Sequence, residues 1–543
     1  MSLLTIQRAY LIGAALVTWA GGLLVAAGTS LALEARVGWV SVGAATLFAL
    51  TTLYWIAGLF FPNQRATELS RAIVASVGIA AVSVLIASAA YDSSWDGQTY
   101  HAEGLLAIVE GWNPYRDPIS PDSTFGHWQV FHSKGAWLAE GSLVAATGHP
   151  EAGKALNFVL AAASYAFALP ALVRIGVSQR RRILFGAALI ALNPVVVCQL
   201  FTYYVDGLLA SALAITVCLL ILFDEQPNWV TGIPLIAASL LVMSVKLHGA
   251  IYLSMIVFGF AAWYWITRRR GGRVLLACGL IVYLIGISLN ANPFVSHYGR
   301  RFIETGSPFL ENDFVALNIY SNTPEAFRDR GWLEKFTVSV FSRYDYGRRV
   351  ELKVPLTLTV EEIGWMYDAR VSGFGPFFSG GILFTAVAFV VGLRHRTAPS
   401  HLWIILGVTA LSVLSNPEAW WARYVPQVWL VVVLIALIPV KLDGRWTRLW
   451  QRVALAVLAF NVLWLLVLAL LGAVNGNELA TTTIAELRIR PLSPPIAIDF
   501  AGAALTRAHI DRASISYIAV GELPCPYGDT ERLWPSPARI CRE

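Results

Sequence analysis

A chain of 543 residues that is 57% hydrophobic and only 14% charged, with a mean hydropathy of +0.61, cannot cover itself with polar surface. Soluble domains carry about 25% charged residues, so bilayer lipid must be the solvent here and a soluble globular protein is excluded. The net charge of +6 is not a nucleic-acid signature, because the basic residues sit in short clusters between apolar runs; membrane lipids are the expected surroundings and nucleic acid is not an expected partner.

A bilayer core of roughly 30 Å needs about 20 apolar residues per helix. By that rule the chain predicts an all-α polytopic membrane protein of about thirteen transmembrane helices. In chain order they fall near 10–32, 38–61, 72–91, 154–175, 184–202, 207–223, 230–246, 249–267, 274–291, 376–393, 402–415, 425–440 and 454–474. No cleavable signal peptide is evident, since the first apolar run is long enough to span. The loops "QRATELSR", "RIGVSQRRR", "TRRRGGR", "LRHR" and "KLDGRWTRLWQR" would lie on one side, and the positive-inside rule makes that side cytoplasmic. The N-terminus is then expected inside, and the segments 92–153, 292–375 and 475–543, with the C-terminus, outside. A bacterial plasma membrane is the expected location. Cys198, Cys218 and Cys278 lie in spans as small buried hydrophobes, whereas Cys525 and Cys541 share the outer tail, where an oxidising compartment permits a disulfide.

The first outer loop opens with "YDSSWDGQTYHAEGLLAIVEGWNPY", residues 91–115, which places Asp92, Asp96, His101 and Glu103 directly after an apolar run. Asp92 can simply end the helix and meet water. Asp96 precedes Tyr100 by four residues and then an apolar helical stretch, the pattern of an amphipathic helix rooted at an aspartate. Further on, "SKGAW" sets Lys134 between aromatics. Asp206, Lys246, His248, Arg300, Arg301 and Arg423 all map to outer helix ends or adjoining loops. Charge near hydrocarbon is costly, so a cluster of both signs on one face suggests a polar cavity opening outward. Trp95, Trp128, Trp420 and Trp421 fit stacking on a sugar ring and an interfacial aromatic belt equally well. Residues 292–375 are too aromatic and too mixed in charge for a linker; short helices capping the cavity are expected, with contacts from Trp365, Tyr367 and Asp368.

An aspartate just after an early span, then a tyrosine four residues on, then a glycine followed by "NPY", resembles the GT-C superfamily of membrane glycosyltransferases. "LNPVVVCQLFTYYVDGLLAS", "VMSVKLHGA", "NPFVSHYGRRFIETGSPF", "VSGFGPFF" and "NPEAWWARYVPQ" add loose matches in order, so that the resemblance runs from about residue 72 to 430. It implies a GT-C-like bundle whose core spans 72–291, with the first outer loop at 92–153, preceded by two extra helices in 1–71. A large outer loop at 292–375, C-terminal helices in 376–474 and a small outer tail domain at 475–543 complete the expected organisation.

The implied activity is transfer of a sugar from a polyprenyl-phosphate donor to an acceptor hydroxyl of a glycan, lipid or protein on the extracytoplasmic face. The resemblance carries the catalytic base to Asp96, with Asp92 a weaker candidate. A departing phosphate needs fixed cations; Lys246 and Arg423 come first, with Arg300, Arg301 and His248 behind them. Candidate substrate contacts are Tyr100, His101, Lys134, Tyr203, Asp206, Trp420, Trp421 and Tyr424. A single displacement would invert the anomeric centre. No cofactor is expected: a divalent metal held by Asp92, Asp96 and Asp206 with Glu304 is conceivable, but no compact acidic motif is visible. The alternatives are a metal-using polymerase or ligase acting on lipid-pyrophosphate saccharides, and a lipid or saccharide transporter.

Overall fold

The computed structural model describes residues 1–120, 123–267, 269, 271–290, 300–305, 319–344, 349–364, 367–393, 399–438, 444–490 and 495–542. Thirteen helices come first: α1 (Leu3–Ala32), α2 (Trp39–Phe60), α3 (Arg65–Ala89), α4 (Ala102–Glu110), α5 (Gly126–Phe131), α6 (Gly135–Thr147), α7 (Ala155–Arg174), α8 (Arg180–Ala191), α9 (Pro194–Gln199), α10 (Asp206–Phe223), α11 (Trp229–Val245), α12 (Leu247–Ile266) and α13 (Gly272–Leu289). The later helices long enough to matter here are Trp332–Val340, Phe378–Gly392, Ser400–Leu414, Gln427–Leu437, Arg445–Ile489 and Ala504–Arg512.

Every residue of α10 is buried, which makes this helix the axis of the bundle; α7 and α11 flank it. The outer helices α2 and α3 instead expose Leu47, Phe48, Val74, Val77 and Leu85, the surface expected of a lipid-facing wall. Eight of the described helices are long and apolar enough to cross a membrane. Four shorter apolar helices, α11, Phe378–Gly392, Ser400–Leu414 and Gln427–Leu437, stand where four more spans are predicted. The chain is therefore a polytopic helical membrane protein.

Two predicted spans take another form. The stretch 184–202 is divided between α8 and α9, because Pro194 cannot continue the helix and Asn193 caps the new one by accepting from Val195 N at 3.0 Å. The predicted span 454–474 is the middle of a single helix of 45 residues, Arg445–Ile489. At 1.5 Å per residue that helix is about 68 Å long, roughly twice the hydrocarbon thickness. Its far end projects from the bundle and joins the tail, where Leu487 packs with Ile498, Ile510, Leu533 and Ile540. In the tail, β1 (Ile496–Ile498) pairs in parallel with β2 (Tyr517–Ala519), and β3 (Thr530–Arg532) pairs antiparallel with β4 (Arg539–Cys541). Cys525 and Cys541 are disulfide-bonded.

Candidate active site

The site begins with four backbone devices that deliver charge to one end of the bundle. Asp96 starts a wide turn, Gly97–His101, that leads into α4; Thr99 inside it departs from helical geometry. Asp206 is the first residue of α10, where a carboxylate faces the positive end of the helix dipole. Lys246 is the single extended residue between α11 and α12, at φ −152° and ψ 155°. Arg423 lies in the short turn Ala422–Tyr424, just before Gln427–Leu437. That turn is pinned to the large outer loop by Arg423 N donating to Ala369 O at 3.3 Å, which brings Asp368 and Arg370 to the same place.

The side chains meet in a network with Arg423 at its centre. Its Nη1 donates to Asp96 Oδ2 at 2.9 Å and lies 3.8 Å from Asp206 Oδ2, while its Nε is 3.2 Å from Asp368 Oδ1. Lys246 Nζ donates to Asp206 Oδ1 at 2.5 Å. Arg370 Nε donates to Asp368 Oδ2, and its guanidinium lies over Trp421 at 4.8 Å. Three carboxylates thus face three cations. Tyr100 adds its hydroxyl to Asp96 Oδ2 at 2.9 Å. Burial, reinforced by the charge of Asp96, pushes that hydroxyl well above its ordinary pKa, so Tyr100 is a fixed donor. Behind it Trp128 and His132 stack on the ring at 5.0 and 5.1 Å.

A cavity of about 590 Å³ opens over this network. Asp96, Tyr100, Lys246, His248, Trp421, Arg423 and Tyr424 line it, together with Trp95, Trp128, His132, Tyr204, Tyr252, Tyr367, Asp368, Arg370 and Glu418. The volume suits a small polar group with part of an attached chain. Its walls alternate charge and aromatic faces, the lining that a polar ring with apolar faces requires.

Other sequence candidates lie elsewhere. Asp92 is buried and turned away from the cavity: its Oδ1 accepts from Ser94 N at 2.8 Å and its Oδ2 from Tyr203 N at 2.6 Å. The turn carrying Asp96 rests directly on it, since a Cβ at Gly97 would lie 2.0 Å from Asp92 Oδ2. Tyr203 is wholly buried and gives its hydroxyl to Pro150 O. Lys134 spends its ammonium on the carbonyls of Gln129 and His132, both at 2.5 Å, at the end of α5. His101 backs Tyr100 and accepts from Trp137 Nε1 at 3.0 Å; burial holds it well below its ordinary pKa, hence neutral. Trp420 packs against Phe327 beside the cavity. Arg300 is largely exposed and pairs with Glu304 at 2.9 Å. The Arg301 side chain and Trp365 lie outside the described residues.

Arg370, Tyr204, Tyr252, His132 and Glu418 line the cavity and were not singled out from the sequence. Tyr204 and Tyr252 were within reach of it, one beside Tyr203 and the other one helical turn past His248. Nothing in the sequence around Arg370 separates it from other loop arginines. Among the described residues no group of three His, Cys, Asp or Glu side chains is placed to hold a metal ion.

The fold and site together define a polytopic membrane protein with an ion-lined cavity at one end of its bundle. No protein-family model matches the chain, and no curated protein does. Among solved structures it is similar to ArnT from Cupriavidus metallidurans bound to undecaprenyl phosphate, with 11% identity, covering 83% of this chain and 86% of that one, at a TM-score of 0.43.

Proposed function

We propose that the protein is a GT-C-type glycosyltransferase that moves a sugar from a polyprenyl phosphate to an acceptor hydroxyl. The observation that supports this reading is a carboxylate, Asp96, sharing one cavity wall with two cations, Arg423 and Lys246. Asp96 accepts the acceptor's hydroxyl proton while the acceptor oxygen bonds to the anomeric carbon. The bond from that carbon to the phosphate oxygen breaks, and its electron pair leaves on the phosphate. Lys246 and the Arg423 fork receive the growing charge, Lys246 as a point charge and Arg423 through two parallel N–H groups. As Arg423 engages phosphate, Asp96 Oδ2 is released for the proton. Asp206 does not line the cavity and Asp368 stays paired to Arg370, so Asp96 alone acts, as base, and a single displacement inverts the anomeric carbon.

With Arg423 standing among the carboxylates, the leaving group is stabilised by side-chain cations and no metal ion is invoked. By the positive-inside rule the cavity opens on the extracytoplasmic face of a bacterial plasma membrane. A transporter would carry its ionisable groups through the spans, whereas the ion pairs of Glu68 with Arg8, Asp224 with Arg174 and Arg269, and Glu151 with Lys154 sit at or near helix ends.

The test is single-turnover transfer from a panel of synthetic polyprenyl-phosphate sugars, by the purified protein and its Asp96→Asn variant, with and without chelator. Transfer from one donor, indifferent to chelator and lost in the variant, supports the reading. Transfer only from pyrophosphate-linked donors and only with metal replaces it by the polymerase or ligase reading. Uptake of a lipid-linked sugar across the bilayer without bond cleavage replaces it by a transporter.

A further inference from the structure

At the end of the bundle remote from this cavity lies a second one of about 480 Å³, between the start of α8 and the start of the helix Arg445–Ile489. Gly476 of the long helix lies against Ser93 at the cavity end. The distance back to Arg452 is 24 residues by numbering, or roughly 36 Å at 1.5 Å per residue, about a bilayer's thickness. The remote groove therefore belongs to the opposite membrane face.

Its rim is built of arginine. Arg181 and Arg182 come from α8, Arg448 and Arg452 from the long helix, where a spacing of four sets them on one face. Its floor is Phe185, Leu455 and Ala456. Several other arginines at this end are paired: Arg8 and Arg71 with Glu68, and Arg174 and Arg269 with Asp224. Among the described residues Arg181, Arg182 and Arg452 have no carboxylate partner. Arg182 is half-buried and directs Nη2 to Ala436 O, Leu437 O and Gln451 Oε1 at 3.2, 3.4 and 2.9 Å, while its buried Nε has no partner. It also faces the like charge of Arg452. Trp446, exposed on the same helix, is of the residue type enriched where headgroups meet hydrocarbon.

We infer that this groove is a binding site for a phosphate-headed anion, with an anionic phospholipid as its occupant. The arginines take the phosphate oxygens, which relieves the repulsion between Arg182 and Arg452, and the apolar floor takes the first acyl carbons. The floor favours a lipid over free phosphate. The inference is independent of the proposed reaction.

Native mass spectrometry of the full-length protein released from nanodiscs containing equal phosphatidylglycerol and phosphatidylcholine tests it, beside a titration with inorganic phosphate alone. Arg181→Gln and Arg452→Gln are compared singly and together, with Arg181→Lys/Arg452→Lys as a control that keeps charge and orientation. Retention of phosphatidylglycerol about tenfold over phosphatidylcholine, falling to parity in the Gln pair and kept in the Lys pair, is expected from charge-selective headgroup binding. Binding of inorganic phosphate without lipid selectivity overturns the lipid and leaves a soluble phosphate as the occupant. Equal retention of both lipids, or selectivity unchanged in a Gln variant that folds, overturns the site; the single variants keep that outcome accessible should the double variant not fold.

Discussion

Two clusters of charge grow from the same dozen residues and differ in what surrounds them. Asp96 enters the cavity network with Arg423, Asp206, Lys246, Asp368 and Arg370. Asp92, four residues earlier, enters a sealed cluster with Glu151, Lys154 and His509. There Lys154 Nζ is 2.7 Å from Glu151 Oε2, His509 Nε2 is 2.8 Å from Glu151 Oε1, and Glu151 accepts from Asp92 N at 3.3 Å. In both, buried carboxylates are held by hydrogen bonds and by at least one ion pair. The sealed cluster has every member packed against protein and fastens the tail to the first outer loop. The open cluster has space on one side, so the same balance of charge becomes available to a ligand. Charge pairing makes both stable, and free volume separates chemistry from scaffolding.

The sharpest way to break this comparison is to remove one charged group from each cluster. Asp96→Asn is expected to lower sugar transfer by about 10²–10⁴-fold, the usual contribution of a positioned base, with the melting temperature nearly unchanged. A variant with unaltered turnover would move the reaction away from Asp96. Lys154→Ala is expected to do the reverse. It leaves Glu151 buried with its main cation gone, which costs about 3–5 kcal/mol of stability, read as lost folded yield or a lowered melting temperature.

Arg423→Lys keeps the charge but cannot span Asp96 and Asp368 from one fork. A lost hydrogen bond to a charged group is worth about 1.5–3 kcal/mol, so turnover should drop by about ten- to a hundredfold. If Lys restores full turnover, the fork has no role. The smallest effect expected is from Asp92→Asn. Burial pushes the Asp92 carboxyl up to about 7, against the pull of Lys154. An acid raised in the folded state stabilises fully below its ordinary pKa and loses that contribution as pH rises through about 7. The wild-type melting temperature should therefore fall between about pH 4 and pH 7 and level off above that, and the fall should shrink in Asp92→Asn. An identical pH slope in the variant would remove Asp92 from the account.

Much of the fold was legible because lipid imposes a length. Twelve of the predicted spans correspond to apolar helices, and the exception, 184–202, fails at Pro194, a local rule that hydropathy averages away. The extent of the last helix was not legible, since residues 475–489 are polar and continue as helix only because Ile484 and Leu487 find the tail to pack against. The candidate site was legible in depth but not in direction. Placing Asp96, Asp206, Lys246 and Arg423 at helix ends on one face follows from span counting, and the structure brings these four together. Asp92, Tyr203, Lys134 and Trp420 turn into protein instead: Lys134 to carbonyls two and five residues back, the others to partners far away in the chain. Asp92 finds Tyr203 N, 111 residues on. Arg370 and Asp368 reach the cavity through a loop without periodicity, so only its closure onto Ala422–Tyr424 reveals them.

The break at Lys246 has a mechanical consequence. Two helices meet there with one extended residue between them and no loop, so the backbone that carries the ammonium has no slack of its own. Moving it would mean sliding α11 or α12 along its full length against the bundle. The cation that Asp206 holds is therefore a fixed post. Any phosphate using it must arrive in register with that post, and the turn carrying Arg423 and the loop carrying Asp368 and Arg370 are the parts left to do the adjusting.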